Sequence, residues 1–326
     1  MTHRVAVLFF MLLVSFLSAT QRAESFNHPE TVSSEQLPVQ AIAVAPNNHV
    51  YAGTFGGGIY RSMDEGVTWV DWNADLQDRD VVVVDVDSRG TVFVGTFGGG
   101  VYRNDNESGW KRVSNGLECQ EIVSLEVGPH NDLYAGTSNG GIYYSGDDGE
   151  TWIALGLSDK YVNAIAVSER GEIFSGTSNG IYSSHDRGKT WSLTIAGLRC
   201  RDVWALAVHQ NGDLFAATNG GGMYRSIDQG ETWTQMNEGL ASLDAGSLAI
   251  CSDGNIFVGT TAGVFCSTNN GSSWIKFDGD LASKSIRCLT VGRNGQVLTG
   301  MFKGSVLQRR PVEPLPEGLT DLHEQD

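Results

Sequence analysis

The chain has 326 residues, 40% hydrophobic and 18% charged, with 41 Gly, 7 Pro and 8 Trp; this is enough apolar material for a sizeable core and excludes a wholly disordered polypeptide. Its 22 Lys+Arg against 38 Asp+Glu give a formal charge of −16, which repels phosphate backbones, so nucleic acid is excluded as a partner and a polybasic membrane patch with it.

At the N-terminus Arg4 precedes an apolar run over residues 5–17, followed by the small residues Ser18 and Ala19. The run is too short to cross a hydrocarbon core of about 30 Å as a helix, no later run approaches about 20 apolar residues, and the pattern reads as a secretory signal peptide over 1–23, cleaved after Ala19 or Ala23. The mature chain is expected to be soluble, monomeric and either secreted or periplasmic. Cys119, Cys200, Cys251, Cys266 and Cys288 contain no C-x-x-C pair, so neither metal nor redox cofactor is expected, and export permits disulfides without requiring them.

From residue 39 onward the chain repeats. A Tyr/Phe-x-Gly-Thr landmark places its glycine at Gly53, Gly95, Gly136, Gly176, Gly259 and Gly300, with Ala217 as a departure, and the successive intervals lie between 40 and 42 residues. Each unit begins with an apolar stretch (39–44, 162–167, 203–208), turns through Asn-Gly or Arg-Gly, and continues into the landmark strand, a glycine-rich turn, a third strand near Ile59 and a fourth opened by Trp69. A period near 41 with four strand signals predicts an all-β fold: a single seven-bladed β-propeller of four-stranded antiparallel blades over 24–310, with a C-terminal tail over 311–326. Ring closure falls to the N-terminal segment near 25–33 as outer strand of blade 7, because Pro311, Pro314 and Pro316 remove donors from the C-terminal alternative.

Between the third and fourth strands stands Ser-x-Asp-x-Gly-x-Thr-Trp, at 62–69, 145–152, 184–191 and 226–233, with a degraded copy at 267–274 that has Asn269 for Asp and Ser273 for Thr. Blade 2 keeps only Gly109-Trp110 and blade 7 lacks the motif. This resembles the Asp-box, or bacterial neuraminidase repeat, of the sialidase-like propellers. The spacing and length resemble the photosystem II assembly-factor-like group of exported propellers. Locally, Asp and Ser can accept backbone N–H bonds within a hairpin, Gly takes a positive φ and Trp packs between sheets, which makes the box carboxylates structural.

In such a meander the B–C and D–A loops lie on one face and the boxes on the other. Phe55, Phe97 and Phe302 share one B–C position on the neighbouring blades 1, 2 and 7, either as an exposed platform or as packing between blades. The residues before each first strand, Pro38, Asp80, Glu121, Tyr161, Asp202, Asp244 and Ser285, should ring the channel mouth. Their acids either form ion pairs with Arg79, Lys160, Arg201 and Lys284 or hold a cation, an amine or a sugar. The candidate ligand site is Phe55, Phe97, Phe302, Lys303, Asp80 and Glu121. Asp85 and Glu126, at equivalent positions in the first strands of blades 2 and 3, form either an acid–base pair or charges that reach solvent along the channel.

The resemblance implies two functions. One is an exported noncatalytic binding or scaffold propeller recognising a protein or carbohydrate on the B–C/D–A face. The other is a glycoside hydrolase of sialidase-like or glucanase-like type. Against the second, the Phe/Tyr-Arg-Ile-Pro motif of sialidases is missing and Arg287 is the only arginine in any first strand, so no catalytic residues are assigned.

Overall fold

The computed structural model describes residues 37–105, 109–277, 285–301 and 306–309, all within the compact unit spanning 32–326. Every regular element among them is a β-strand, and the strands form consecutive antiparallel meanders, A to D, each sheet built from neighbours in sequence. The A strands are Val39–Val44, Val81–Val86, Ile122–Val127, Val162–Val167, Val203–Val208, Ala245–Ile250 and Ile286–Val291. They pack successively against one another in a ring, the last against the first.

The landmark residues explain how the sheets pack so closely. The aromatic residue is buried in each of the first six repeats, from Tyr51 to Phe257. Its glycine lies under the neighbouring A strand: a Cβ on Gly53 would stand 2.6 Å from Val81 Cγ1, and one on Gly176 2.7 Å from Val203 Cγ1. The threonine hydroxyl reaches across the B–C turn to the carbonyl of the glycine that opens strand C, as in Thr54 to Gly58 (3.0 Å) and Thr218 to Gly222 (2.9 Å). A Cβ on Gly300 would likewise stand 2.6 Å from Val39 Cγ1, which seats the last sheet against the first blade and closes the ring.

Six sheets are four-stranded. The last, containing the A strand Ile286–Val291 with Val297–Met301 and Val306–Arg309, has three strands among the described residues. The expectation of seven four-stranded blades is therefore corrected to six. The final repeat lacks not only the Asp box but also the Gly-Trp pair that blade 2 keeps at 109–110 to open its fourth strand, Trp110–Arg112, and it has Met301 where the other repeats place the turn-bonding threonine. The segments considered for closing that sheet, near 25–33 and 311–319, lie outside the described residues, as do the signal-peptide and tail assignments. No described helix is long and apolar enough to cross a membrane.

The boxes form one repeated hydrogen-bond unit. In blade 3, Asp147 accepts from Ser145 Oγ (2.8 Å), Thr151 N (2.9 Å) and Thr151 Oγ1 (2.6 Å), and Gly149 N donates to Ser145 Oγ (2.9 Å). Asp148 and Gly149 take positive φ of 56° and 85°, so the tight turn needs a residue without a Cβ at its second left-handed position. Trp152 Nε1 donates to Val113 O of the preceding blade (2.8 Å), and Trp191 and Trp274 repeat this latch onto Leu155 and Met236. The Thr68 hydroxyl and amide hold the Asp64 carboxyl down to about 2, and Asp147, Asp186 and Asp228 are lowered by the same donors from their own threonines. These carboxylates are spent on the hairpin, as the sequence suggested. Contacts between box and A–B turn residues, such as Gln296 Nε2 to Glu65 O (2.9 Å) and Arg89 with Asp148, put boxes and A–B turns at one end of the ring and leave the B–C and D–A loops at the other.

Candidate functional site

At the B–C/D–A end, each loop leading into strand A is tied to the B–C turn of the same or the preceding repeat. Phe97 N donates to Asp80 O (3.0 Å), Ser138 N to Glu121 O (3.1 Å), Asn219 N to Asp202 O (3.0 Å) and Thr261 N to Asp244 O (3.2 Å). The mouth residues are thus held in place by their backbone. Phe55 pairs through an isolated bridge with Asp80 of the next blade, and its ring meets that of Phe97 at a centroid separation of 6.2 Å and an interplanar angle of 59°. Both rings are half-buried, so they are neither open platforms nor core residues: each covers the other at the junction of blades 1 and 2. Phe302 and Lys303 lie outside the described residues.

Among the described residues Glu121, Asp202 and Asp244 form no ion pair with the basic residues considered for them. Arg79 lies 3.9 Å from Asp71, on its own loop, and neither Lys160 nor Arg201 forms an ion pair. Glu121 accepts from Ser138 Oγ (2.6 Å) and Asp202 from Asn219 Nδ2 (3.1 Å), both neutral donors. Lys284 is outside the described residues.

A second feature was not legible as a motif. In all seven A strands the ladder to strand B slips by one residue at the second position, a β-bulge that leaves Gln40, Val82, Val123, Asn163, Trp204, Gly246 and Arg287 without a cross-strand partner. The residue before each bulge is buried between blades, from Val39 to Ile286, whereas the bulged residues are half-buried and Trp204 is 39% exposed. The bulge therefore sets one residue per sheet apart from the buried inter-blade packing, a glycine in blade 6 and a side chain in the other six. Its geometry is constant around the ring and its chemistry varies. Arg287 Nε donates to Gln40 Oε1 (2.8 Å) and Asn163 Nδ2 to Val203 O (2.8 Å), each reaching the next sheet. Burial lowers the Arg287 pKa, and Tyr161, from blade 4, is raised mainly by burial while feeling the opposing charges of Arg287 and Glu121. The signal available in the sequence was the even spacing of these positions, hidden because they share no residue type.

Farther along the channel, Asp85 Oδ1 accepts from Val86 N (2.8 Å) and Oδ2 from Val127 N of the adjacent blade (2.7 Å). Inner-edge strands have donors with no ladder partner, and this carboxylate satisfies two of them, joining the A strands of blades 2 and 3. Burial lifts its pKa to about 6 despite those bonds. Glu126 is raised well above the usual carboxylate range, first by burial and then by the charge of Asp85. With both Asp85 oxygens engaged by backbone, the pair is built as an interblade staple with a proton-holding neighbour. No group of three or more metal-ligating side chains occurs among the described residues.

The BNR/Asp-box repeat family model matches residues 182–193, the C–D hairpin and box of blade 4. No curated protein matches the chain. Among solved structures, the extracellular domain of a hybrid two-component system from B. thetaiotaomicron is similar with a TM-score of 0.72 and 18% identity, over 93% of this chain and 44% of that one, so this chain spans less than half its length. YCF48 bound to D1 peptide is similar at 0.71 and 17%, over 89% and 99% of the two chains, and virginiamycin B lyase from Staphylococcus aureus at 0.70 and 14%, over 85% and 95%. At these identities the likeness is one of fold. The chain is thus a β-propeller that carries BNR/Asp-box repeats, five of them hydrogen-bonded as boxes in blades 1 and 3 to 6.

Proposed function

We propose that this protein is an exported, noncatalytic binding propeller that takes a polypeptide partner on its B–C/D–A face. The observation that carries the reading is the B–C/D–A end of the ring, where Glu121, Asp202 and Asp244 form no ion pair among the described residues and Phe55 and Phe97 are half-buried against each other. Uncompensated like charges gathered at one rim are costly in isolation and favour a complementary partner. Phe55 and Phe97 with Asp80 and Glu121 form the rim over which the partner would lie. That a similar propeller, YCF48, is described bound to a D1 peptide supports a peptide as the class of ligand.

The test is to present the chain lacking residues 1–23 to peptide and glycan arrays, beside a folded Phe55→Ser/Phe97→Ser variant. Peptide capture lost in the variant is the expected result. Capture that ignores the substitutions, glycan capture alone, or hydrolysis of a glycoside by the unmodified chain would overturn the reading.

A further inference from the structure

Trp204 is the largest of the bulged residues, and its six-membered ring lies across the bulge of the next blade, with Cε3 3.4 Å from where a Cβ of Gly246 would stand. Any side chain at 246 would meet that ring, so the glycine gives the indole its seat. One side of the ring is occupied in this way, yet the residue remains 39% exposed.

Two acids belong to the same blade junction. Asp202 and Asp244 each stand two residues before a bulged position, Trp204 itself and the Gly246 over which its ring lies, with buried Val203 and Ala245 between. The B–C turn of blade 5 draws the two carboxylates together. Asn219 donates to Asp202 Oδ2 (3.1 Å) and pairs through an isolated bridge with Asp244, while Asp244 Oδ1 lies 4.0 Å from where a Cβ of Gly220 would stand. Neither acid has an ion-pair partner. The two positively charged residues nearest in sequence, Arg199 and Arg201, form no ion pair with them.

An open indole face attracts a cation through its quadrupole, and two carboxylates at the same blade junction add charge that favours it. We infer that Trp204, Asp202 and Asp244 form a receptor for a single basic side chain, best a planar guanidinium that can stack on the indole while donating to a carboxylate, carried by the polypeptide partner. This rests on the proposed function and gives it chemistry: an arginine of the partner enters at the junction of blades 5 and 6. The chain's charge of −16 acts in the same direction, steering a basic segment toward the mouth.

The experiment follows the Trp204 indole N–H signal by NMR in the chain lacking residues 1–23, assigned with a Trp204→Phe variant, during titration with acetyl-Gly-Arg-Gly-amide. Acetyl-Gly-Gln-Gly-amide is the neutral control and methylguanidinium the small-cation arm. Expected are a saturable shift with the arginine peptide only, about tenfold weaker binding in Asp202→Asn/Asp244→Asn, and weakening as salt is raised. An unmoved Trp204 signal, or an equal shift with the glutamine peptide, overturns the inference. Methylguanidinium binding as tightly as the peptide overturns the assignment to a polypeptide. A partner captured through Phe55 and Phe97 but indifferent to Trp204→Leu would defeat this receptor alone, while an arginine-specific shift without any captured partner would defeat the broader reading alone.

Discussion

Ala217 of blade 5 packs in one cluster with Ala245 of blade 6, at the position where every other sheet sets a glycine against a valine or isoleucine. Volume is conserved across the contact: a methyl appears on the B strand where the facing A strand gives up its branches. This pairing explains why the one departure from the landmark is tolerated in a packed ring.

The relationship predicts a compensating pair. Ala245→Val alone should crowd Ala217 and cost about 1–3 kcal/mol, whereas Ala245→Val/Ala217→Gly rebuilds the contact found in the other sheets and should return to within about 1 kcal/mol of the parent. Urea denaturation of the four proteins in the cycle measures it. Additive losses would show that the two residues do not share a contact.

The box of blade 6 shows that the motif works with an amide. Asn269 keeps the bonds from Ser267 Oγ (2.9 Å) and Ser273 N (2.9 Å) and donates Nδ2 to Ser273 Oγ (2.8 Å), reversing the direction of the bond that the aspartates accept. Asp147→Asn should therefore lower the melting temperature less than Asp147→Ala, which strands the Thr151 amide and both hydroxyls. Partner capture by the folded variants should be unchanged. Loss of capture without a change in melting temperature would move the box into the binding machinery.

Phe55 and Phe97 are half-buried against each other, which separates them from both extremes considered for them. Each Phe→Ala change should cost about 1–2 kcal/mol, below the roughly 3–5 kcal/mol of a fully buried phenylalanine. The double variant should reveal a coupling of about 0.5–1.5 kcal/mol, the worth of a tilted aromatic pair. Chemical denaturation of the single and double variants gives both quantities, and zero coupling would contradict the contact.

The A-strand bounds 39–44, 162–167 and 203–208 were readable because β-branched and apolar runs end at Gly, Asn and Asp turns, and the boxes because one hydrogen-bond unit demands Ser, Asp, Gly and Thr at fixed spacing. The number of complete blades was not, because the landmark marks strand B in all seven repeats and carries no information on whether a fourth strand follows. At the site, the acidic mouth and the Phe55–Phe97 junction were visible by position. Trp204 was passed over as one more strand residue, since a bulge is a slip in register against another strand and leaves no mark on its own sequence.

Glu126 supplies the pH prediction. Burial raises the carboxyls of Asp85, to about 6, and of Glu126, well above its ordinary 4.5, so the folded chain holds protons that the unfolded chain releases near pH 4. Below the unfolded values both states are protonated and the stability is intact. As pH rises from there through about 6 and beyond, only the unfolded state ionises readily, and stability falls. The box aspartates act in the opposite sense, and only below about pH 4, where protonation releases their threonine donors. Glu126→Gln keeps the shape of the side chain, removes its titration and relieves Asp85 of a neighbouring charge. The variant should melt with the parent near pH 4 and several degrees above it at pH 7 to 8, so the gap between the two curves widens as pH rises. Melting curves that run parallel across this range would show that Glu126 gives up its proton in the folded ring as easily as in the unfolded chain, and that the two carboxyls do not act together.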